Sequence, residues 1–302
     1  MSKAVVFAYH NVGVRCLSVL LAHEVDVALL VTHEDNPNET IWFDSVAALA
    51  GRYGIATVTP ADAKEAELHD RVAALAPDFI FSFYYRHMLP PDLLALARRG
   101  AYNMHGSLLP KYRGRVPVNW AVLAGERETG ASLHRMVEKP DAGALLAQQA
   151  VPILPDDTAF AVFNKVTVAA EMALDRVLPA LLAGTAVETP LDLAAGSYFG
   201  GRKAEDGRID WRQTAPQIHN LVRAVAPPYP GAFCDLPGGG TLRLLRTLRA
   251  PALNPRHATP TLYRNGDEAL IDCAGGQVLR LLEWQGNWQG EDVALAVPAS
   301  KL

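Results

Sequence analysis

The 302-residue chain has little cysteine and no pairing motif for it. Its three cysteines, Cys16, Cys234 and Cys273, are widely spaced and odd in number, and no Cys-x-x-Cys occurs. A disulfide scaffold and a cysteine-ligated zinc site are therefore disfavoured, and a reducing compartment is expected. We also predict no metal, because the His-Glu-Asp run at residues 33–35 has no second histidine paired with it.

Long apolar runs and an excess of positive charge are absent as well. No apolar stretch approaches the ~20 residues that span a bilayer, and the run at residues 4–8 is too short for a signal-peptide core. We expect no membrane insertion and a cytoplasmic location. The net charge of -4 argues against affinity built on phosphate-backbone contacts, so no nucleic-acid partner is expected.

The N-terminal part of the chain alternates apolar runs with amphipathic stretches. Apolar runs at residues 5–8 and 25–31 flank an amphipathic segment at residues 14–22, and a continuous apolar run follows at residues 79–83. This spacing predicts an α/β fold with a Rossmann-like, doubly wound, mostly parallel sheet. The loop at residues 9–13 holds one glycine instead of Gly-x-Gly-x-x-Gly, which disfavours a dinucleotide site.

The composition changes after this alternating region. A glycine-rich and charged segment is followed by one predicted helix at residues 215–225 and then by short strand-like runs between turns. Several short strands after one helix predict a smaller C-terminal β-barrel domain of the OB-like kind. We therefore expect a catalytic domain at residues 1–195, a linker at 196–208 and a barrel-like domain at 209–302.

The stretch from Asn103 to Gly114 is the most informative one, and it reads Asn-Met-His-Gly-Ser-Leu-Leu-Pro-Lys-Tyr-Arg-Gly. It follows a short strand-like run, and alternate side chains of a strand share a face, so Asn103 and His105 should project together. The amide can donate to a developing oxyanion, and the imidazole can transfer a proton. Asp141, in a turn-like stretch, could return a carboxylate that raises the pKa of His105. The same residues are also typical of loop caps and ordinary turns, so spacing alone leaves both interpretations open.

Three separated elements carry a resemblance to a family. They are Asn103-x-His105, then Ser107-Leu108-Leu109-Pro110-x-Tyr112-Arg113-Gly114, then Asp141-x-Gly143. This pattern resembles that of the folate-dependent formyltransferases, which include the glycinamide ribonucleotide, methionyl-tRNA and sugar N-formyltransferases. Runs at residues 7–10, 32–37, 81–87 and 133–137 are most similar to the formyltransferase domain of bifunctional polymyxin-resistance proteins.

The resemblance implies a reaction. In it, N10-formyltetrahydrofolate gives its formyl group to the 4-amine of UDP-4-amino-4-deoxy-L-arabinose, a nucleotide-linked amino sugar used in lipid A modification. Asn103 would donate to the formyl oxygen, and His105, held cationic by Asp141, would stabilise the same charge and protonate N10. No step needs a metal.

The bifunctional relatives continue into an NAD-dependent decarboxylase, whereas this chain ends at Leu302. That difference leaves open a stand-alone enzyme, an excised domain and a separate decarboxylase chain as a partner. The ending Ser300-Lys301-Leu302 matches a peroxisomal address, but related domains end in similar residues, so we set that match aside. The oligomeric state is not legible from the sequence.

The resemblance also assigns binding regions. A pterin has amide-like edges that suit main-chain groups at strand ends. The folate-binding candidates are His87, Met88 and Leu89 together with the loop residues Val137, Glu138, Lys139, Pro140 and Asp141. His87 could equally close a buried strand.

For the nucleotide sugar, Arg115 matches a family binding position, with Lys111 and Arg113 beside it. A guanidinium can fork onto a diphosphate, although a solvated basic loop has the same composition. Tyr9, Asn11 and Arg202 are further candidates for this site.

Three other functions remain open from the sequence. Methionyl-tRNA formyltransferase has the same two-domain layout, but it must hold tRNA, and the negative net charge counts against that. A sugar N-formyltransferase acting on a dTDP-linked 4-amino-6-deoxy hexose is not excluded, because the acceptor pocket is not legible. A non-catalytic folate or nucleotide sensor is disfavoured by Asn103, His105 and Asp141, since binding alone needs no proton donor.

Overall fold

The computed structural model describes residues 1–296, so the ending Ser300-Lys301-Leu302 lies outside the described residues. The chain forms two compact units. The first contains Met1–Pro117, Glu128–Pro152 and Asn164–Gly200, and the second contains Val118–Arg127, Ile153–Phe163 and the chain from Gly201 onward. The domain boundaries expected from composition stay a prediction.

A seven-stranded sheet forms the centre of the first unit. Its strands are β1 (Lys3–Ala8), β2 (Asp26–Val31), β3 (Thr57–Val58), β4 (Phe79–Phe83), β5 (Gly100–His105), β7 (Glu128–Arg135) and β8 (Leu145–Pro152), and β6 (Arg113–Gly114) pairs separately with β9 (Tyr198–Phe199). The strand order is β3-β2-β1-β4-β5-β7-β8. Strands β1 to β5 pair in parallel, whereas β7 runs antiparallel to both β5 and β8.

Six helices accompany these strands in the chain. They are α1 (His10–Ala22), α2 (Val46–Arg52), α3 (Ala66–Leu75), α4 (Pro91–Ala95), α5 (Pro117–Ala124) and α6 (Ala159–Ala183). Within residues 1–296, no helix is both long and apolar enough to cross a membrane.

Local sequence explains where several helices begin. Helix α2 begins at Val46, because the Ser45 hydroxyl accepts a hydrogen bond from the Ala48 N–H at 3.2 Å. Helix α4 has proline at its first positions, where no N–H is needed. One apolar face of the sheet then packs around fully buried Phe7, Ile80 and Leu93. Burial of such side chains stabilises the unit by roughly 2 kcal/mol each.

The second unit contains α7 (Ala215–Val225) and an antiparallel sheet. Its strands are β10 (Ala232–Asp235), β11 (Thr241–Arg249), β12 (Thr261–Asn265), β13 (Glu268–Cys273), β14 (Gln277–Gln285) and β15 (Val293–Ala294), in the order β10-β11-β14-β13-β12-β15. Helix α7 begins with a capping box between Thr214 and Gln217, and it packs Ile218 and Leu221 into a core with Trp211. The two sheets confirm the predicted fold class, a Rossmann-like unit followed by a smaller half-barrel of strands.

All three cysteines are free and buried. Burial raises the pKa of the Cys16 thiol far above its usual range, and it raises the pKa of Cys234 and of Cys273 to about 12. The thiols are therefore kept in their protonated, unreactive form.

The strand order determines where functional side chains can gather. Strand β1 lies between β2 and β4, so successive connections leave it in opposite directions, and ligands of open α/β sheets bind at such a point. Strand β5 lies next to β4. Because β7 runs antiparallel beside β5, Asn103 lies directly opposite His134, and His105 lies opposite Ser132.

Candidate functional site

The predicted pair Asn103 and His105 is carried by the last residues of β5, and His105 is buried. Its Nε2–H donates to the Tyr112 carbonyl at 2.8 Å, and its Nδ1 lies 3.5 Å from Asp141 Oδ1. A carbonyl oxygen can only accept, so Nε2 carries the proton in the neutral ring. Nδ1 is therefore the nitrogen that remains for proton transfer.

The Asp141 carboxylate reaches His105 through a loop that folds back toward the sheet. Asp141 has a φ of 50°, in the left-handed region, and its Oδ2 accepts from the Gly114 N–H at 2.8 Å. The loop is closed by the Arg135 N–H, which donates to the Ala144 carbonyl at 2.8 Å. A Cβ on Gly143 would lie 2.0 Å from the Arg135 carbonyl oxygen, so this close approach requires glycine.

Burial and charge act in opposite directions on these two groups. Burial would raise the pKa of Asp141, but the nearby His105, a hydrogen bond with His134 and the Gly114 N–H lower it to about 2. For His105, burial lowers the pKa, and this effect exceeds the opposing effects of Asp141 and of the Tyr112 carbonyl. Asp141 therefore favours the cationic form of His105, as expected, but burial outweighs this effect, so the net direction of the His105 pKa is downward.

A second histidine belongs to the site, and sequence reasoning missed it. His134 on β7 is buried, and its Nδ1–H donates to the Arg135 carbonyl at 2.8 Å. Its Nε2 lies 3.2 Å from Asn103 Nδ2 and 3.4 Å from Asp141 Oδ1. In the sequence, His134 lies within a strand-like run at residues 131–137, where nothing distinguishes it from a structural residue. The antiparallel register that brings it opposite Asn103 has no signal in the sequence.

The loop that follows β5 is held in place by hydrogen bonds of two serine hydroxyl groups. Ser132 Oγ donates to the Ser107 carbonyl at 2.6 Å and accepts from the Leu109 N–H at 3.1 Å. Ser107 Oγ in turn donates to the Lys111 carbonyl at 2.6 Å. These bonds hold the loop so that the next carbonyl, that of Tyr112, meets the His105 ring.

The folate-binding candidates near β4 differ in exposure. The His87 ring is half-buried, and its Nδ1 is a buried atom with no hydrogen-bond partner among the described residues. Met88 is 58% exposed, whereas Leu89 is buried in the core of the first unit. Leu89 can therefore offer a ligand only its main chain.

The second group of folate candidates borders a depression in the first unit. This depression has a volume of about 330 Å³, and Val137 and Glu138 line it together with Met136, Pro91, Leu94 and Ala101. Lys139 is exposed and Pro140 is partly exposed. The same loop carries Asp141, so the candidate pocket and the candidate proton-transfer group share one segment.

The three basic candidates after β5 are not equivalent. Lys111 and Arg115 are exposed, whereas Arg113 is only 8% exposed. The Arg113 N–H donates to the Ser197 carbonyl at 3.0 Å, as part of the pairing between β6 and β9. Lys111 and Arg115 are therefore accessible to a ligand through their side chains, whereas the side chain of Arg113 is buried.

Tyr9 and Asn11 follow β1, and their polar atoms have partners within the first unit. The Tyr9 hydroxyl donates to Asp35 Oδ1 at 2.6 Å, and burial raises its pKa to about 12. The Arg86 guanidinium lies over the Tyr9 ring, 4.8 Å from its centroid. Asn11 Oδ1 accepts from the Asp44 N–H at 2.8 Å. Both residues therefore hold together the loops that follow β1 and β2.

Arg202 belongs to the second unit. Its Nη2 donates to the Asp206 carbonyl at 2.9 Å, and its guanidinium lies 4.8 Å from the centroid of the Trp120 ring. Burial lowers the pKa of Arg202. Within residues 1–296, no group of three or more His, Cys, Asp or Glu side chains is arranged to hold a metal ion.

Comparison with known families gives two matches. Residues 16–178 match the family described as Formyl transferase, and residues 202–289 match the Formyl transferase C-terminal domain. The first match covers more than half of the chain.

Solved structures share the fold. An N-formyltransferase from Helicobacter canadensis, in complex with folinic acid and dTDP-3-aminofucose, superposes with a TM-score of 0.71 at 19% identity, covering 93% of this chain and 99% of that one. A 4-N formyltransferase from Francisella tularensis gives 0.63 at 20% identity, covering 80% and 95%. HypX from Aquifex aeolicus, in complex with tetrahydrofolic acid, gives 0.62 at 18% identity, covering 93% and 43%. At these identities the likeness establishes the fold.

Proposed function

The chain belongs to the formyl transferase family, and on that premise we propose that it moves the formyl group of N10-formyltetrahydrofolate to the 4-amine of UDP-4-amino-4-deoxy-L-arabinose. The observation that carries the proposal is the arrangement of Asn103, His105 and Asp141. An amide donor, a buried imidazole and a carboxylate with a depressed pKa converge in one unit. A protein that only bound folate would need no such proton-transfer group.

The proposed reaction begins with a neutral His105. As the sugar amine nitrogen bonds to the formyl carbon, His105 Nδ1 accepts a proton from that nitrogen, and the formyl oxygen becomes negative. The Asn103 amide donates to this oxygen, a contribution of about 3 kcal/mol in comparable sites. Asp141 stabilises the imidazolium. When the bond from carbon to N10 breaks, Nδ1 gives its proton to N10, and tetrahydrofolate and the formamide leave.

For the donor, we propose that the folate lies against the loop of Val137, Glu138, Lys139 and Pro140. The depression beside this loop has about 330 Å³, within the usual range for small-molecule sites. Exposed Met88 and the main chain of residues 87–89 are the other proposed contacts. The bound folates named for the N-formyltransferase from Helicobacter canadensis and for HypX support this choice of donor.

For the acceptor, we propose that Lys111 and Arg115 contact the diphosphate. Both are exposed cations on the loop that follows His105, and a diphosphate is a strong acceptor for such groups. Tyr9, Asn11 and Arg202 remain proposed contacts of the nucleotide or sugar. Arg113 pairs β6 with β9 through its main chain, and its side chain is buried, so it is the weakest of the three basic candidates.

The proposed substrate also implies a pathway and a location for the reaction. The product would serve lipid A modification and polymyxin resistance, and the reaction would take place in the cytoplasm. We propose neither a nucleic-acid partner nor insertion into a membrane.

A second candidate is an enzyme that acts on a dTDP-linked amino sugar, because the Helicobacter canadensis protein was solved with dTDP-3-aminofucose. The test is to incubate the purified protein with N10-formyltetrahydrofolate and a panel of UDP- and dTDP-linked amino sugars, with charged initiator tRNA in parallel. Mass spectrometry should detect a gain of one formyl group on UDP-4-amino-4-deoxy-L-arabinose first. Faster transfer to a dTDP sugar or to tRNA would replace the proposed acceptor, and transfer to none of them would refute the proposal.

A further inference from the structure

The crevice beside the end of β1 is bordered by three segments that contain one arginine and no lysine. These segments follow β1, β2 and β4 at residues 9–13, 32–45 and 84–90. Among the Lys and Arg residues of the chain, only Arg86 falls within them. Ligands of open α/β sheets bind where successive connections leave in opposite directions, which is at this edge. An anionic ligand that enters the crevice would therefore find its counter-charge on Arg86.

The Arg86 guanidinium is paired with a carboxylate. Its Nη1 and Nη2 donate to Oε1 and Oε2 of Glu39 at 3.0 and 2.8 Å. The guanidinium also lies 4.8 Å from the centroid of the Tyr9 ring, and the Arg86 N–H donates to His33 Nε2 at 3.0 Å. The main chain and the side chain of Arg86 are thus both held in place. This two-pronged geometry is also the one in which a guanidinium binds two oxygens of a phosphate.

The pair with Glu39 contributes little to holding the chain together. Both side chains are 41% exposed, and exposed ion pairs stabilise a protein only weakly. Glu39 lies within residues 34–41, an exposed stretch without helix or strand. This stretch is attached on both sides, because Asp35 and Asp44 form hydrogen bonds with the loop after β1 at 2.6 and 2.8 Å. Glu39 can therefore leave Arg86 without detaching the segment.

We propose that Arg86 binds the diphosphate of the nucleotide substrate and that Glu39 is an internal competitor, which occupies Arg86 until the diphosphate displaces it. A phosphate offers a similar pair of charged oxygens, and a carboxylate left beside it would repel it. Strand β5 lies next to β4 and parallel to it, so Arg86 leaves the same edge of the sheet as the loop of Lys111 and Arg115. The identity of the ligand rests on the proposed function.

Binding of UDP and of folinic acid, each measured by isothermal titration calorimetry, tests the proposal without catalysis. Arg86→Gln should raise the Kd for UDP by about 10- to 100-fold, the effect of losing hydrogen bonds to a charged group. The Kd for folinic acid should change little. The proposal would be overturned by a wild type that does not bind UDP, by an unchanged Kd for UDP in the variant, or by a loss for folinic acid as large as that for UDP.

Glu39→Gln tests the competition, and a gain of affinity cannot arise from misfolding. The change should lower the Kd for UDP by about 2- to 5-fold, because UDP no longer has to break an exposed ion pair. In an Arg86→Gln background the same change should have no effect, since Glu39 then has no guanidinium to occupy. The same tightening in both backgrounds would mean long-range repulsion in place of competition, and no tightening in either would mean that Glu39 does not compete. Either result would overturn the proposal.

Arg15 and Glu171 provide the matched control, because they form an exposed pair of the same kind in the first unit. Arg15 Nε donates to Glu171 Oε2 at 2.7 Å, and its Nη2 donates to Oε1. Arg15→Gln and Glu171→Gln should leave the Kd for UDP unchanged, and effects as large as those at Arg86 and Glu39 would overturn the proposal.

The assay of formyl transfer separates this proposal from the proposed function. If UDP binding depends on Arg86 and Glu39 as expected while no amine is formylated, the proposed function fails and the assignment of Arg86 stands. If the amino sugar is formylated and Arg86→Gln binds UDP as the wild type does, the assignment of Arg86 fails and the proposed function stands.

Discussion

Replacing Asp141 by asparagine tests the protonation of His105 most directly. The change removes one negative charge 3.5 Å from His105 Nδ1 and keeps an acceptor for the Gly114 N–H. The fold should therefore survive. Because Asp141 raises the pKa of His105 against the larger lowering by burial, its loss should lower the His105 pKa still further.

The expected magnitude follows from the distance. Two unit charges 3.5 Å apart interact by about 5 kcal/mol at an effective dielectric constant of about 20. In the proposed mechanism the charged imidazole forms only during the reaction, so this energy acts on the transition state. Its loss corresponds to a fall in kcat of about 10³-fold.

The assay is kcat as a function of pH for the wild type and for Asp141→Asn. A neutral resting His105 predicts that wild-type kcat falls on the acid side, below the ordinary histidine pKa of about 6.5. In the variant this acid limb should move to lower pH, while the plateau falls. Ionisation of the acceptor amine affects both proteins equally and does not contribute to the difference.

Asp175→Asn is the matched control, because Asp175 forms an exposed ion pair with His23 at 2.8 Å in the same unit. It should change neither kcat nor its pH dependence. Two results would refute the reasoning about His105. One is a wild-type activity that falls as pH rises through the histidine range. The other is an acid limb that moves to higher pH in Asp141→Asn.

Three further predictions concern the same loop and strand. Asn103→Ala should lower kcat by about 10²- to 10³-fold with little change in KM, measured by steady-state kinetics, and a loss confined to KM would contradict its role. The pKa of Asp141, lowered from 3.8 to about 2, adds stability that is present above pH 4 and is lost as pH falls toward 2. This contribution to the free energy of unfolding is about 2 kcal/mol, so urea unfolding should find the wild type more stable than Asp141→Asn above pH 4 and should find that difference shrinking toward pH 2. A difference in unfolding free energy that does not change with pH would argue against this. Gly143→Ala brings a Cβ against the Arg135 carbonyl and should cost about 1 to 3 kcal/mol and most of the activity, whereas Gly51→Ala, with open space in a helix, should be neutral or stabilising; equal effects would count against the packing argument.

Much of the fold can be predicted from the periodicity of hydrophobic residues along the sequence. The apolar runs at residues 5–8, 25–31 and 79–83 became the central parallel strands, because strands covered on both faces are apolar throughout. The direction of β7 could not be predicted, since a run of apolar residues looks the same in a parallel and in an antiparallel strand. In the second unit, Thr261–Asn265 gives only a weak strand signal in the sequence, because two of its five residues are polar and exposed.

The candidate site, too, can be predicted from the sequence only in part. Asn103 and His105 were predicted to share a face because they are two residues apart on a strand. The pKa of His105 could not be predicted from the neighbouring charge, because the extent of burial is a property of the folded chain. His134 lies 31 residues from Asn103 along the chain, and only the antiparallel register brings the two together.

The buried cysteines have a practical consequence for following the loop that carries Asp141. Thiol-directed dyes react with the thiolate, and none of the three native thiols is accessible or easily ionised. A cysteine introduced at exposed Lys139 could therefore be labelled selectively in the otherwise native protein. The attached fluorophore would report on the environment of this loop as the folate arrives and departs.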